Sequence, residues 1–213
     1  MKDLSDIRLE HLDILKEIGN IGAGNAATAL SQMLNKTIDM KVPAVKVVPF
    51  NEISNLVGGE EVVVAAIFLR IKGDAPGNMF FMLPVDEASR LVQQLVGDST
   101  IDFSEEPINE MGASALNEVG NILAGSYLSA LSDFTKLNMQ PTPPDLAIDM
   151  TMAILSFGLV ELSQAGDFAI VIDTEINELG EDETIQSKGH FFLLPDPESL
   201  IRIFHSLGVP LDE

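Results

Sequence analysis

The chain has 213 residues, 46% of them hydrophobic and 21% charged, which is enough apolar material for one sizeable core. Its net charge of −21 disfavours nucleic acid and anionic membrane surfaces as partners, and the absence of cysteine excludes a disulfide framework, a zinc–thiolate site or a cysteine nucleophile. The charged N-terminus MKDLSDIRLEHLDILKE does not read as a secretory signal, and the longest wholly apolar run, Val62–Leu69, falls far short of the roughly 20 residues that span a membrane, so a cytoplasmic location is expected.

A long helix is expected over 8–34, where Leu12, Leu15, Gly19, Gly22, Ala26, Ala29 and Met33 recur at spacings of three and four and mark a buried stripe. It carries three glycines (Gly19, Gly22, Gly24), each costing about 1 kcal/mol against alanine inside a helix. A strand over 40–48 and a short helical segment over 50–57 follow. Strands 61–71 and 77–84 then form a hairpin around KGDAPG, whose Gly-Asp and Pro-Gly pairs are turn signals, and a helix over 85–97 closes the unit. After DSTIDFSEEPINE the same succession returns. It comprises a helix over 107–132 with Pro107 in its first turn, a strand over 144–152, a helical segment over 153–164, strands 167–177 and 186–195, and a helix over 197–207.

The return is visible in the letters. EIGNIGAG (17–24) and EVGNILAG (118–125) share six of eight residues, and FFMLPVDEASRLVQQLVG (80–97) resembles FFLLPDPESLIRIFHSLG (191–208). The second half is longer between these points, and the acidic segment 178–187 reads as a longer loop between two strands. The expectation is a single domain, 1–213, of two pseudo-symmetric repeats (8–97 and 107–208, joined by 98–106) sharing one core. The expected fold is an α+β layered sandwich, a six-stranded, mainly antiparallel sheet with long helices packed outside.

On the first long helix Asp13, Glu17, Asn20 and Gly24 fall at steps of four, three and four, which aligns them in one row beside the buried stripe; the second helix repeats the row as Ser114, Glu118, Asn121 and Gly125. Gly19/Gly120 and Gly24/Gly125 keep their places while Gly22 becomes Leu123. Small residues there let another backbone come close, either the second long helix or an outside protein. An exposed glutamate is ordinarily just solvated, and a mid-helix asparagine competes for backbone hydrogen bonds. The Glu–Asn pair stands out because it recurs while its neighbours change, Lys16 to Asn117 and Ile18 to Val119. Other chemistries find little support. GNIGAG reverses the dinucleotide fingerprint and follows no strand, His11, His190 and His205 lack metal-ligand spacing, no G-x-S-x-G elbow occurs, and an Asp13–Glu17 acid–base dyad is lost at Ser114.

Twenty-two residues separate Asn20 from Pro43 and Asn121 from Pro144. The pattern D/S-x3-E-x2-N-x22-P resembles the signature of the CheC family of chemotaxis phosphatases, and both copies match it in full over nearly the whole chain. The resemblance implies hydrolysis of the aspartyl phosphate on the response regulator CheY. It makes Glu17 with Asn20, and Glu118 with Asn121, the catalytic pairs. Asn would hold the attacking water and Glu would meet the regulator's active-site lysine, with Asp13 and Ser114 supporting the row. Pro43 and Pro144 are expected to fix the start of the next strand, and Gly24 and Gly125 to admit the regulator's loops, with helix packing as the rival reading for the glycines. The chain would need no cofactor of its own, Mg²⁺ residing on the regulator, and would act as a monomer. Relatives also bind the receptor deamidase CheD. That gives an alternative, a regulatory binding module docking through the apolar segment 152–164, which reads equally as a core helix.

Overall fold

The computed structural model describes residues 7–162, 168–179 and 184–211. In chain order these form α1 (Leu9–Leu34), β1 (Ile38–Lys41), β2 (Val45–Pro49), a 3-10 turn (Phe50–Glu52), α2 (Ile53–Leu56), β3 (Val63–Gly73), β4 (Gly77–Pro84), α3 (Val85–Val96), α4 (Glu110–Thr135), β5 (Met139–Pro141), β6 (Asp145–Met150), α5 (Thr151–Leu162), β7 (Phe168–Leu179), β8 (Thr184–Pro195) and α6 (Pro197–Ser206). Among the described residues, no helix is long and apolar enough to cross a membrane.

The strands make one sheet in the order β1-β7-β8-β4-β3-β5, with β2 also on β7 and β6 also on β3. Every pairing is antiparallel. Among the described residues the sheet thus has the six expected positions but eight strands. The expected strand 40–48 divides at 42–44, whereas the expected strand 144–152 shortens to β6 and is preceded, across 142–144, by the unexpected β5. Proline cannot donate to a ladder, so Pro43 and the pair Pro143–Pro144 interrupt the pairing there. Each half lends its first two strands to the other half's hairpin: β1 and β2 lie on β7, β5 and β6 on β3. The halves meet at β4 and β8, where Phe81 faces Phe191 and Phe80 faces Phe192.

That register corrects the sequence match of FFMLP with FFLLP. Phe81 and Phe191 join the core on the long-helix side, whereas Phe80 and Phe192 join a smaller core on the opposite face. Setting Phe80 over Phe191 therefore crosses the sheet, as any one-residue slip must. The acidic segment 178–187 is not simply a loop either. Glu178 and Leu179 pair with Ile185 and Thr184, Asn177 with Gln186 and Ile176 with Ser187, prolonging the hairpin so that Glu175–Glu178 can receive β1; residues 180–183 lie outside the described residues. Lys36 reinforces the same edge by an ion pair to Glu178 at 2.8 Å.

The main core lies between the sheet and α1, α3, α4 and α6. Leu15, Gly19, Gly22 and Ala26 are buried as the stripe requires, but Met33 is 47% exposed. The 3.6-residue period drifts off a strict 3–4 alternation, and the burial passes to Ala23, Ala27 and Leu30. Helix α4 begins at Glu110, with the Asn109 side chain accepting from the Gly112 N–H at 2.8 Å, so Pro107 stands outside the helix instead of in its first turn; a side-chain cap sets this start. The polar connector 98–106 contributes two fully buried residues, Ile101 and Phe103, which lie against Gly112. Its path is tied by Gln93 to the Ile101 carbonyl and by the Phe103 N–H to Ser89. Buried His11 accepts from the Arg8 N–H through Nδ1 and bonds the Val209 carbonyl through Nε2, joining the start of α1 to the C-terminal segment.

Tyr127, the only tyrosine of the chain, is buried in α4, edge-on to Phe191, with its hydroxyl 3.1 Å from that of Thr174. Burial pushes its phenol from the ordinary 10.0 up to about 12, offset in part by the Thr174 bond. A raised acid leaves its stabilising contribution whole below the unfolded value and removes it as pH rises through the folded one. Between pH 10 and 12 the urea midpoint of the wild type should therefore fall more steeply than that of Tyr127→Phe, and tyrosinate absorbance should stay flat past about pH 10 while the protein is folded. A phenol titrating at its ordinary value in the folded protein would contradict this packing.

Candidate functional site

The row expected on each long helix is displayed to solvent. Asp13, Glu17, Asn20 and Gly24 are all exposed on α1; Ser114, Glu118 and Asn121 are exposed on α4, with Gly125 half-buried. The opposite side of each helix is committed to packing. A Cβ at Gly22 would lie 2.9 Å from the Tyr127 Cα and 2.8 Å from its ring, so here the two long helices touch almost backbone to backbone. Gly19 packs on Val42 and Ile172, and Gly120 on the Ile67 side chain. Gly24 and Gly125 have nothing within 4 Å of a built Cβ. The glycines therefore divide: Gly19, Gly22 and Gly120 serve internal packing, and Gly24 and Gly125 leave open space beside the row.

Around the first row Asp13, Lys16, Glu17, Asn20 and Ile21 line an open depression of about 510 Å³. Lys16 and Ile21 were not singled out in the sequence; their places beside Glu17 and Asn20 were the available signal. Among the described residues neither Glu17 nor Glu118 has a hydrogen-bond or ion-pair partner, so both carboxylates are free to meet an outside cation.

The Asn20 side chain is held. Its Oδ1 accepts from the Val42 N–H at 2.9 Å, and its Nδ2 donates to the Val42 carbonyl at 3.3 Å and to the Lys16 carbonyl at 3.0 Å. The motif spacing thereby gains a physical meaning. Pro43 confines the residue before it to extended backbone, and that residue turns both its N–H and its carbonyl to Asn20. The counterpart of Val42 one step before Pro144 is Pro143, which has no N–H to give. Asn121 makes no hydrogen bond among the described residues. Pro43 and Pro144 stand just before β2 and β6.

The described part of α5 is pinned at its start. Thr151 is buried and bonds the Val62 carbonyl through both N–H and hydroxyl. Ile154 and Leu155 pack on the smaller core, while Met150 and Met152 are exposed. Of the apolar segment 152–164, residues 163–164 lie outside the described residues.

A twice-repeated polar row on paired helices over a shared antiparallel sheet can be compared with known proteins. The model of the CheC-like family matches residues 10–47 and 111–148, which are the two stretches running from each row through its proline break. The CheY-P phosphatase CheC of Bacillus subtilis (strain 168) is 46% identical over 211 residues, covering 99% of this chain and 100% of that protein. The chain belongs to the CheC-like family. Its fold is shared with FliY of Thermotoga maritima (TM-score 0.73, 20% identity, 95% of this chain and 98% of that one) and with the FliM middle domain of H. pylori (TM-score 0.66, 14% identity, 94% and 99%).

Asn20→Ala leaves the Val42 N–H and carbonyl without that partner, whereas Asn121→Ala removes no bond among the described residues. In urea denaturation the first should cost about 1–2 kcal/mol and the second less than about 0.5 kcal/mol. Equal costs would mean that the Val42 contact contributes nothing to stability.

Proposed function

We propose that this chain hydrolyses the aspartyl phosphate of the response regulator CheY, with Asn20 and Asn121 positioning the attacking water and Glu17 and Glu118 contacting the regulator's active-site lysine. The observation that carries this reading is the 46% identity, over nearly the full length of both chains, to a CheY-P phosphatase, with both exposed rows intact.

Phosphoryl transfer from an acyl phosphate needs positioning and electrostatics more than covalent help from the protein. The water oxygen bonds to phosphorus, the P–O bond to the aspartate breaks, and the water proton passes to the phosphate that leaves; the regulator's carboxylate is restored. In this reading Mg²⁺ and lysine are the regulator's, and this chain, acting as a monomer, needs no cofactor. A carboxamide carries both an acceptor and two donors, so it can orient a water without being a base. A glutamate one turn earlier, with no partner among the described residues, can form a charge-assisted bond that fixes the docking register. Asp13 and Ser114 border the contact. The open space at Gly24 and Gly125 suits the close approach of another backbone.

A second reading, docking of the deamidase CheD at 152–164, is favoured by exposed Met152 next to exposed Met150 at the sheet edge. The two roles are compatible on one molecule, since the row and this edge belong to different elements.

The test is phosphate loss from phosphorylated CheY with wild type and with the Asn20→Ala/Asn121→Ala double variant, both confirmed folded. Wild type should accelerate the loss about tenfold or more and the double variant should return it to the spontaneous rate. A double variant as fast as wild type would remove the water-holding role and leave the docking module as the leading account.

A further inference from the structure

The two rows are alike in sequence but differ in how their asparagines are held. Both Nδ2 hydrogens of Asn20 are taken, by the Lys16 and Val42 carbonyls, and its Oδ1 already accepts from the Val42 N–H. Val42 itself is anchored, 1% exposed and packed on Gly19. On α4 the amide of Asn121 has no such partner. The residue in the corresponding place, Pro143, cannot donate, it is exposed, and Gly120 packs on Ile67 instead of on that loop. Lys16 beside Glu17 is also replaced, by Asn117 beside Glu118, so only the first row carries a lysine next in the chain to the glutamate meant for the regulator's lysine.

We infer that the chain carries one latched site and one free site: the main chain of Val42 is a positioning element that restrains Asn20, and Pro143 leaves Asn121 ready. The inference rests on the phosphatase reading. To give a donor to an attacking water, Asn20 must first leave the Val42 carbonyl; Asn121 has nothing to leave. Position 42/143, one step before the motif proline, then sets how readily each asparagine engages, and the α4 row carries most of the turnover.

Three measurements on the full chain test this. In turnover with phosphorylated CheY, Asn121→Ala should lower kcat roughly three- to tenfold more than Asn20→Ala, the factor that one net hydrogen bond represents, with KM little changed. In the Asn121→Ala background, Val42→Pro, which copies the Pro-Pro of the second row, should raise kcat above Val42→Ala, which keeps the N–H and loses only packing. The third readout needs neither activity nor a variant that folds: by NMR the Asn20 side-chain amide hydrogens should exchange with solvent more slowly than those of Asn121. If Asn20→Ala proves the more damaging, or Val42→Pro lowers kcat below Val42→Ala in a folded protein, the contact readies Asn20 for catalysis and the inference is overturned. Equal exchange of the two amides overturns it as well. If wild type itself leaves the decay of phosphorylated CheY unchanged, the phosphatase reading fails separately, and the exchange rates alone decide whether the latch exists.

Discussion

At Gly22 two long helices approach so closely that a single methyl group would collide with the main chain of Tyr127. Much else follows from that contact. Helices this close must present small residues to each other, and the sheet beneath must be flush with both, which Gly19 and Gly120 allow against Ile172 and Ile67. With one side of α1 and α4 so committed, the opposite side faces solvent, and among the described residues only the Val42 peptide reaches it from another element. A polar row placed there is displayed on a rigid support with little freedom to collapse inward. The helix gives up about 1 kcal/mol of intrinsic propensity at each glycine. Burial of the stripe against the sheet offsets it, and a surface held in fixed geometry is what results.

The exchange of strands between the halves serves the same end. Because β1 and β2 are completed by β7, and β5 and β6 by β3, neither row rests on strands of its own half alone. The proline break between the members of each strand pair lets the chain change partners along the sheet edge and brings one peptide, that of Val42, up to the first row. Catalysis by positioning demands a rigid base for the row, since a misplacement of about 1 Å can cost about a hundredfold in rate; the Val42 peptide adds to the first row the restraint that Asn20 must leave before it engages a water. Sequence duplication has kept the row and altered what stands behind it.

Much of this architecture was legible in the sequence. A helix-period stripe located α1, the internal repeat located α4, and β-branched runs with turn residues located the two hairpins. The row of Glu and Asn was readable because the chain prints it twice. Four features were hidden, each for a non-local reason. The strand-like acidic segment at 178–179 and 184–187 is strand because β1, far away in sequence, needs a partner. The register of Phe80 and Phe191 depends on which face of the sheet each meets, which identical letters cannot report. Ile101 and Phe103 sit in a linker of turn-forming residues, and only the gap above Gly112 explains their burial. The partner of Asn20 is a peptide group, which has no letter; the spacing to Pro43 showed that something was fixed there without showing what.

The central claim is a division of labour along the row, with asparagine holding the water and glutamate holding the regulator. It is tested most directly by steady-state rates of phosphate loss over a range of phosphorylated CheY, comparing Glu17→Ala/Glu118→Ala with Asn20→Ala/Asn121→Ala. The account predicts that losing the glutamates raises KM about tenfold with kcat nearly kept, as removal of a charge-assisted docking bond should, and that losing the asparagines abolishes kcat. A glutamate pair whose loss collapses kcat at unchanged KM would contradict it and place the carboxylates in the chemical step.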